Sequence, residues 1–322
     1  MALVDRVAHR LKLRDLRLLE TVVQYRSIAK AAAHLNLTPP AVSKALSELE
    51  HTVGVRLLER SRQGVEPTPH GKVLIDRGRI IFDELRQGVS EIEHLSDPTT
   101  GEVRVAAAIP IAAGVLPLIV GRMARRYPRI SIHAREIPIG SLQFQSAPHR
   151  ELRERTVDLV LGPIVPGRGN DDLEAETLFA DPLGVATGKQ NAPAFRRTRK
   201  LKDLADERWC LPPPDSVAGN RCVEAFRANG LAIPAKTVMA ISVHLQLGLL
   251  ATEGYFTMFP GSLMRFGTRQ HAIKELPITL SVHAFPIGVL TLKGRTISPA
   301  ARLFIETARA VTKSFSKSAG IE

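Results

Sequence analysis

The sequence predicts an α-helical N-terminal part that ends near residue 95 and an α/β C-terminal part that begins near residue 102. Three observations lead to this fold class. Capped helical runs lie between residues 13 and 53, a heptad pattern of apolar residues follows residue 74, and strand-like and helical runs alternate from residue 102 onward. A chain of 322 residues has room for two or three domains.

Two short helices are predicted around a turn at residues 36–38. Apolar residues recur at three- and four-residue steps in two runs, Ile28, Ala31, Ala32 and Leu35, then Val42, Leu46 and Leu49. Ser27 and Thr38 each precede a run and are good N-cap residues. Because the first helical N–H groups have no intrahelical partner, Pro39 and Pro40 can begin the second helix, with the Thr38 hydroxyl capping Ala41.

Such a helix pair is either an αα-hairpin in a helical core or a unit that lays its second helix into the major groove of DNA. Spacing alone leaves both open, and the flanking residues favour the second. An amphipathic helix precedes the pair between residues 13 and 22, and Gly54 can end the second helix. A hairpin with a tight turn at Gln63-Gly64 follows, and it carries Arg60 and Arg62, which suit phosphate or minor-groove contacts. The pattern predicts a winged helix-turn-helix.

The joint spacing of these residues resembles the LysR-type transcriptional regulators, and the resemblance covers nearly the whole chain. The residues that carry it are Ser27, Ala31-Ala32, Leu35, TPPAVSKAL (38–46), Leu49-Glu50, Gly54, Leu57-Leu58-Glu59-Arg60, Thr68 and Gly71. The resemblance implies a homodimer or homotetramer that binds pseudo-palindromic promoter DNA under the control of a small effector, with RNA polymerase as a further candidate partner. PPPDSVAGN (212–220) and MFPGSL (258–263) resemble the branch that includes the galactose-binding-protein regulator.

The residues expected to contact DNA lie in this N-terminal part: Ser27, Thr38, Pro39, Pro40, Ser43, Lys44, Arg60 and Arg62. Hydroxyls of Thr38 and Ser43 can reach phosphate or a base edge, and Lys44 can contact phosphate or guanine. The family often has glutamine where this chain has Pro39, so base readout there is expected to be apolar and weaker. It often has phenylalanine where this chain has Leu58, a change that affects packing.

A long helix is predicted from Thr68 to about Leu95. Leu74, Ile81, Leu85, Ile92 and Leu95 fall at steps of 7, 4, 7 and 3, and Gly78 and Gly88 occupy the skipped positions of this heptad seam. In the family, the equivalent linker helix forms the dimer; the alternative is a helix that packs within its own protomer. SDPTTGE (96–102) is a turn-rich hinge.

The remainder alternates strands and helices, which favours an α/β fold with largely parallel sheets. Predicted strands are 102–109, 130–137, 157–161, 183–187, 209–211, 237–241, 255–259 and 279–285, and predicted helices are 112–126, 219–229, 243–252 and 299–315. The resemblance implies two periplasmic-binding-protein-like subdomains. The resulting domains are 1–67, 68–95, the hinge 96–101, 102–178 with 276–315, 179–275, and the tail 316–322.

A candidate effector site is expected where strands end and helices begin. Its residues are Ile109, Pro110, Ile111, Gly140, Ser141, Asp215, Ser216, Asn220, Ser242, His244, Gly261 and Ser262. Free N–H groups and hydroxyls at helix starts suit oxygen-rich or anionic ligands. The resemblance to the galactose-binding-protein regulator branch implies a sugar or a sugar acid, and an aromatic acid or no ligand at all is the alternative. Each serine is also expected as a plain N-cap, and His244 as a surface or core residue.

Composition adds little to these motifs. The net charge of +12 favours a polyanionic partner, but residues 1–70 hold eleven Lys and Arg against seven Asp and Glu. Most of the excess lies further along the chain, notably in FRRTRK (195–200). This run is interpreted as a solvated surface in preference to a second nucleic-acid site. Two cysteines without a CxxC motif, no signal-peptide core and no bilayer-length apolar run predict a cytoplasmic protein.

Enzymatic motifs are absent from the sequence, and the histidines show no metal-ligand spacing. We therefore expect no enzyme activity, no metal and no cofactor. Two hypotheses remain: a ligand-controlled DNA-binding regulator, and a small-molecule binding module whose N-terminal helices serve protein contacts only.

Overall fold

The computed structural model describes residues 10–61, 64–137, 149–165, 170–267 and 273–316. Contacts divide the chain into two units, residues 1–88 and 89–322. The elements that begin in the first unit are α1 (Leu13–Tyr25), α2 (Ile28–His34), α3 (Pro39–Val53), β1 (Leu58–Ser61), β2 (Gly64–Pro67) and α4 (Pro69–Ser96). Their apolar core includes Leu19, Val22, Ala31, Val42 and Leu46, so the helical spacing of the sequence marks the buried faces.

The start of α3 follows the capping chemistry of its sequence. The Thr38 hydroxyl accepts a hydrogen bond from the Ala41 N–H at 3.4 Å, with Pro39 and Pro40 at the first helical positions. Ser27 caps α2 in the same way, accepting from the Lys30 N–H at 3.4 Å. These contacts confirm that the twin prolines begin a helix.

The hairpin β1–β2 is antiparallel, with Ser61 opposite Gly64. Its second strand contacts the turn between α1 and α2, where the Val65 N–H donates to the Arg26 carbonyl oxygen at 3.0 Å. Gly64 has a φ of +118°, and a Cβ atom there would lie 2.6 Å from that same oxygen. Glycine is therefore required where the hairpin approaches this turn.

The predicted long helix is confirmed as α4, whose 28 residues span about 42 Å. Gly71, Ile75 and Gly78 are buried near its start. Ile81, Leu85, Val89, Ile92 and Leu95 are exposed, with Leu95 at 84%. The outer part of the heptad seam thus lies uncovered by the described part of this chain.

The second unit contains the remaining described elements. Its strands are β3 (Thr100–Ala108), β4 (Arg129–Ile137), β5 (Leu159–Pro163), β6 (Leu173–Asp181), β7 (Leu183–Gly188), β8 (Trp209–Leu211), β9 (Thr237–Met239), β10 (Phe256–Pro260), β11 (Ile273–Glu275) and β12 (Phe285–Leu292). Its α-helices are α5 (Ile109–Ala113), α6 (Leu116–Arg126), α7 (Arg150–Arg153), α8 (Val217–Ala228), α9 (Val243–Glu253) and α10 (Pro299–Ser316). Short 3-10 helices cover Ala192–Phe195 and Leu201–Leu204, and a π-helical turn covers Leu263–Gly267.

The described strands of this unit form two five-stranded sheets, in the orders β4-β3-β5-β12-β6 and β11-β7-β10-β8-β9. The chain leaves the first sheet at Pro182 and returns to it at Phe285. These two crossings lie side by side, because Asp181 pairs with Phe285.

The prediction of largely parallel sheets is wrong. In the two sheets, β10–β7, β11–β7, β12–β5 and β12–β6 are antiparallel, as many pairings as are parallel. Strand β12 begins beside the carboxyl ends of β5 and β6 and so runs opposite to both.

The predicted strand at 279–285 is also wrong, since the final strand starts only at Phe285. Ile278 and Leu280 alternate with exposed residues because they pack on the core of the second sheet. No described strand pairs with this segment, and the Ile278 N–H bonds locally to the Leu276 carbonyl oxygen. Strands β6 and β11 were not among the predicted ones, and β12 shares only Phe285 with the predicted strand. The predicted helix 112–126 is divided between α5 and α6.

Among the helices described here, none combines the length and apolarity needed to cross a membrane.

Candidate functional site

The second helix of the helix-turn-helix, α3, presents one face to solvent. Val42, Leu46 and Leu49 are buried on the opposite face. Pro39, Pro40 and Lys44 are exposed, Ser43 is half-buried, and the Lys44 side chain is 80% exposed. Among the described residues, Lys44 forms a long 3.9 Å ion pair with Glu48 on the same helix, which leaves its exposed ammonium available to an anionic partner.

The structure describes the other residues expected at DNA to different extents. The hydroxyls of Ser27 and Thr38 act as helix caps. Ser27 is half-buried and Thr38 is exposed. Arg60 lies on β1 opposite Val65, and the structure describes its main chain. Arg62 lies outside the described residues.

A cavity of about 110 Å³ lies between the two sheets of the second unit. One wall comes from the first sheet and its neighbours, including Ile109, Pro110 and Ile111. The opposite wall includes the first turn of α8 and the start of α9. The complete lining is Ile109, Pro110, Ile111, Pro163, Asp181, Pro182, Leu183, Pro212, Ser216, Val217, Ala218, Arg221, Ile241, Val243, Gln246, Met258, Phe259, Pro260, Phe285 and Ile287. Apolar side chains dominate it.

Three of the four polar residues in this lining are engaged by their surroundings. Ser216 caps α8, accepting from the Gly219 N–H at 3.0 Å and donating to the Pro213 carbonyl oxygen at 2.7 Å. Gln246 donates to the Ala240 carbonyl oxygen at 2.9 Å. Asp181 accepts from both the N–H, at 2.9 Å, and the hydroxyl of Ser262. Burial raises the pKa of Asp181, although the Ser262 hydrogen bonds oppose that rise.

The fourth polar residue, Arg221, was not among the predicted site residues. It lies on α8 directly after Asn220, and its guanidinium stacks 5.0 Å from the centre of the Phe285 ring. The sequence did offer a signal for Arg221, because this basic residue lies in the second turn of a helix whose N-terminus was expected at the site. The prediction favoured serines and glycines over it.

The expected effector residues that the structure describes separate into two groups. Ile109, Pro110, Ile111 and Ser216 line the cavity. Asp215, Asn220, Ser242, His244, Gly261 and Ser262 do not; Asn220 donates to Glu224 at 2.8 Å, and Ser242 caps α9 by accepting from the Leu245 N–H at 3.3 Å. Gly140 and Ser141 lie outside the described residues.

An exposed helix beside a hairpin in one unit, and a two-sheet α/β fold around a cavity in the other, define a DNA-binding transcriptional regulator. Residues 13–72 match the bacterial regulatory helix-turn-helix protein, lysR family, and residues 96–313 match the LysR substrate binding domain. The chain therefore belongs to the LysR family of regulators, which are not enzymes.

Relatives and solved structures agree with this assignment. The chain is 27% identical over 305 residues to the regulator GbpR of Azospirillum brasilense, covering 94% of this chain and 87% of GbpR. It is 26% identical over 301 residues to TdcA of Escherichia coli K12, covering 92% of each. The crystal structure of CbnR, a LysR family transcriptional regulator, has a TM-score of 0.65 at 20% identity, covering 94% of this chain and 99% of CbnR. Full-length CbnR has also been solved with its target DNA.

Proposed function

We propose that the protein binds promoter DNA through the exposed face of α3 and the β1–β2 hairpin. We further propose that a small-molecule effector in the cavity of the second unit controls this binding. The observation that carries the proposal is the orientation of α3, which buries Val42, Leu46 and Leu49 and leaves Lys44 exposed. A recognition helix must have this division to enter a major groove. The complex of CbnR with its target DNA supports the same use of the related fold.

Individual contacts follow from side-chain chemistry. Ser43 and Lys44, in the N-terminal half of α3, are proposed to reach base edges and phosphate, with Thr38 and Ser27 on phosphate. The twin prolines, Pro39 and Pro40, offer apolar surface to a thymine methyl group. Arg60 and Arg62 are proposed to bind the DNA backbone from the hairpin.

We propose that α4 joins two protomers along its exposed apolar residues. Apolar side chains repeated at heptad spacing from Ile81 to Leu95, about four helical turns, are stabilised when a second helix covers them. A homodimer presents two recognition helices to successive major grooves, about 34–36 Å apart, and so favours an operator with two-fold symmetry. A homotetramer built from two such dimers, and contact with RNA polymerase, remain part of the proposal.

The effector site is proposed to be the cavity between the two sheets. Its support is that elements on both sides of the two chain crossings contribute to the lining, so a ligand there contacts both sheets. The proposed subdomains, 102–178 with 276–315 and 179–275, meet at these crossings. A sugar, a sugar acid and an aromatic acid are the proposed ligand types, and the relatives named GbpR and GalR belong to the same family.

Footprinting on the DNA upstream of the protein's own gene tests the proposal. We expect a protected site with dyad symmetry that extends over more than one helical turn. A chain that binds a small molecule but protects no DNA, at any salt concentration that keeps it folded, would instead support the alternative of a binding module whose N-terminal helices contact proteins.

A further inference from the structure

Arg221 is a cation in the wall of a cavity whose lining is mostly apolar. Its side chain is 15% exposed, and within the described residues its guanidinium has one hydrogen bond, to the His283 carbonyl oxygen. A guanidinium carries five N–H donors, so most of them remain for another partner. A mostly buried cation with spare donors favours a ligand that brings an anionic oxygen.

Neither Asp181 nor Glu224 makes a close hydrogen bond to the Arg221 guanidinium in the described structure. Asp181 lies in the lining but is bonded to both the N–H and the hydroxyl of Ser262. Glu224 lies 3.9 Å from Arg221, at the limit of an ion pair, and its side chain is 49% exposed. A ligand carboxylate therefore has an opening at Arg221 that the described carboxylates leave unfilled.

The rest of the lining restricts the body of the ligand. A sugar needs hydrogen-bonding partners for each hydroxyl, and unpaired polar groups are costly to bury. Here Ser216, Gln246 and Asp181 are already engaged, and the remaining lining consists of proline and apolar side chains. The volume of about 110 Å³ is close to that of an apolar cavity of about 150 Å³ that binds benzene.

We propose that the effector is a small monocarboxylic acid with a compact apolar body, and that its carboxylate pairs with Arg221. This inference rests on the proposed function of the cavity and narrows the sugar, sugar acid and aromatic acid considered for it. The apolar body contacts Ile109, Ile111 and Phe259, and the first turn of α8 adds a favourable dipole for the anion.

Arg221 also provides a route from ligand to structure. The same guanidinium donates to His283 and stacks on Phe285, both at the crossing by which the chain returns to the first sheet. A carboxylate bound at Arg221 therefore acts on the side chain that joins α8 to that crossing. Ligand binding is thereby expected to alter the contacts of Arg221 with His283 and Phe285, which connect α8 to the crossing into the first sheet.

The test measures binding to the full chain by isothermal titration calorimetry. Benzoate, cyclohexanecarboxylate and isobutyrate are the acidic probes, benzamide is the neutral isostere of benzoate, and galactose represents sugars. The variants are Arg221→Gln, Arg221→Lys and Ala218→Phe, which fills the cavity wall. Arg227→Gln, an exposed residue on the same helix, is the matched control. Thermal unfolding of each variant verifies folding.

We expect at least one acid to bind the wild type and Arg227→Gln, and benzamide to bind far more weakly than benzoate if benzoate is that acid. Arg221→Gln should weaken the acid roughly 10- to 150-fold, with partial recovery in Arg221→Lys. Ala218→Phe should abolish binding. The comparison of benzoate with benzamide requires only wild-type protein, so it decides the role of charge even if a variant unfolds.

The contrary outcomes are distinct from failure of the proposed function. Galactose binding that Ala218→Phe abolishes and Arg221→Gln preserves would overturn the carboxylate anchor while keeping the cavity as the effector site. Acid binding that survives both Ala218→Phe and Arg221→Gln would show that the acid binds outside this cavity, and so would overturn the cavity as the effector site. Absence of binding by every acid probe would overturn the ligand class proposed here.

Discussion

The carboxylate of Glu50, near the end of α3, accepts a hydrogen bond from the main-chain N–H of Leu57 at 2.7 Å. The same oxygen accepts from the Leu58 N–H at 3.2 Å. One side chain thus satisfies the two main-chain donors that lead into β1 and fixes the hairpin relative to the recognition helix. Sequence alone identifies Glu50 as part of the family pattern, and the structure supplies this physical reason for it.

Replacement of Glu50 should separate the hairpin from α3. We expect Glu50→Ala to lower the free energy of unfolding of the N-terminal unit by about 1–3 kcal/mol, because two main-chain donors lose their acceptor. Urea denaturation of the full chain, followed by a probe in this unit, measures the change. Glu50→Gln keeps an oxygen acceptor and should lose less. Glu48→Ala, exposed on the same helix, is the control and should change stability by less than about 0.5 kcal/mol. Equal losses at Glu48 and Glu50 would contradict this role.

Gly71 allows the start of α4 to lie against the segment before β1. A Cβ atom at Gly71 would approach the Leu57 carbonyl oxygen to 2.0 Å, and main-chain atoms cannot move aside cheaply. We expect Gly71→Ala to destabilise the N-terminal unit by about 1–3 kcal/mol in thermal unfolding. Gly248→Ala is the control, since nothing lies within 4 Å of its Cβ position in the middle of α9. That change should stabilise the chain by about 0.5–1 kcal/mol, and a similar loss at both glycines would argue against the close approach.

The N-terminal unit was predictable from sequence because its signals are local. Caps at Ser27 and Thr38, prolines at helix starts and three- to four-residue apolar steps act within one or two turns. The direction of β12 was not predictable in this way. It depends on where the chain re-enters the first sheet, and the sequence pattern of a strand does not record the direction of its neighbours.

The candidate cavity was predictable only in outline. The rule that ligands bind where strands end located Ile109, Pro110, Ile111 and Ser216, because β3 and β8 end there. It did not locate Arg221, whose place in the lining depends on the rotation of α8 against the crossing at Phe285. The direction in which a helical side chain points depends on how the helix packs, and local sequence patterns do not determine that packing.

A buried ion cluster should make the second unit sensitive to acid. Asp158 accepts from Arg104 at 2.7 Å and from Arg295 at 2.8 Å, and the Arg295 side chain is only 2% exposed. Burial by itself would raise the pKa of Asp158, but the hydrogen bonds and charge of Arg104, with the charge of Arg295, hold that pKa below its usual value. A lowered folded-state pKa contributes stability that is complete above the usual pKa of about 3.9 and is lost as the pH falls through the folded value.

We therefore expect Asp158→Asn to lose about 3–5 kcal/mol near neutral pH, since it removes the buried carboxylate charge that Arg104 and Arg295 share. The difference from the wild type should shrink as the pH falls from about 4 through the lowered folded-state pKa of Asp158, because the wild type loses the same charge over that range. Chemical denaturation at a series of pH values measures both effects. Asp206→Asn, an exposed residue of the same unit, should stay within about 0.5 kcal/mol of the wild type. A loss at Asp158 that does not vary with pH would contradict the assigned charge.

The proposed dimer depends on the exposed seam of α4. Leu85→Lys combined with Ile92→Lys places two charges on apolar positions that are 48% and 65% exposed in one chain. We expect sedimentation to show monomers for this double variant at concentrations where the wild type is dimeric, because a covered lysine is costly to desolvate. Val73→Lys, 63% exposed on the same helix but off the seam, should leave the oligomer intact. If the double variant dimerised with the same dissociation constant as the wild type, the dimer interface would have to lie outside this seam.

Salt-dependent binding to the footprinted DNA, measured by fluorescence anisotropy, tests the central claim that the exposed face of α3 and the hairpin bind the duplex. The double variant Ser43→Ala with Arg60→Ala should remain folded and dimeric yet lose specific binding. Lys44→Ala should weaken it and reduce the dependence of the logarithm of affinity on the logarithm of salt concentration by about one. Arg17→Ala, which removes an exposed cation of α1, is the control and should bind as the wild type does. Wild-type affinity and an unchanged salt dependence in the Ser43 and Arg60 double variant would contradict the account.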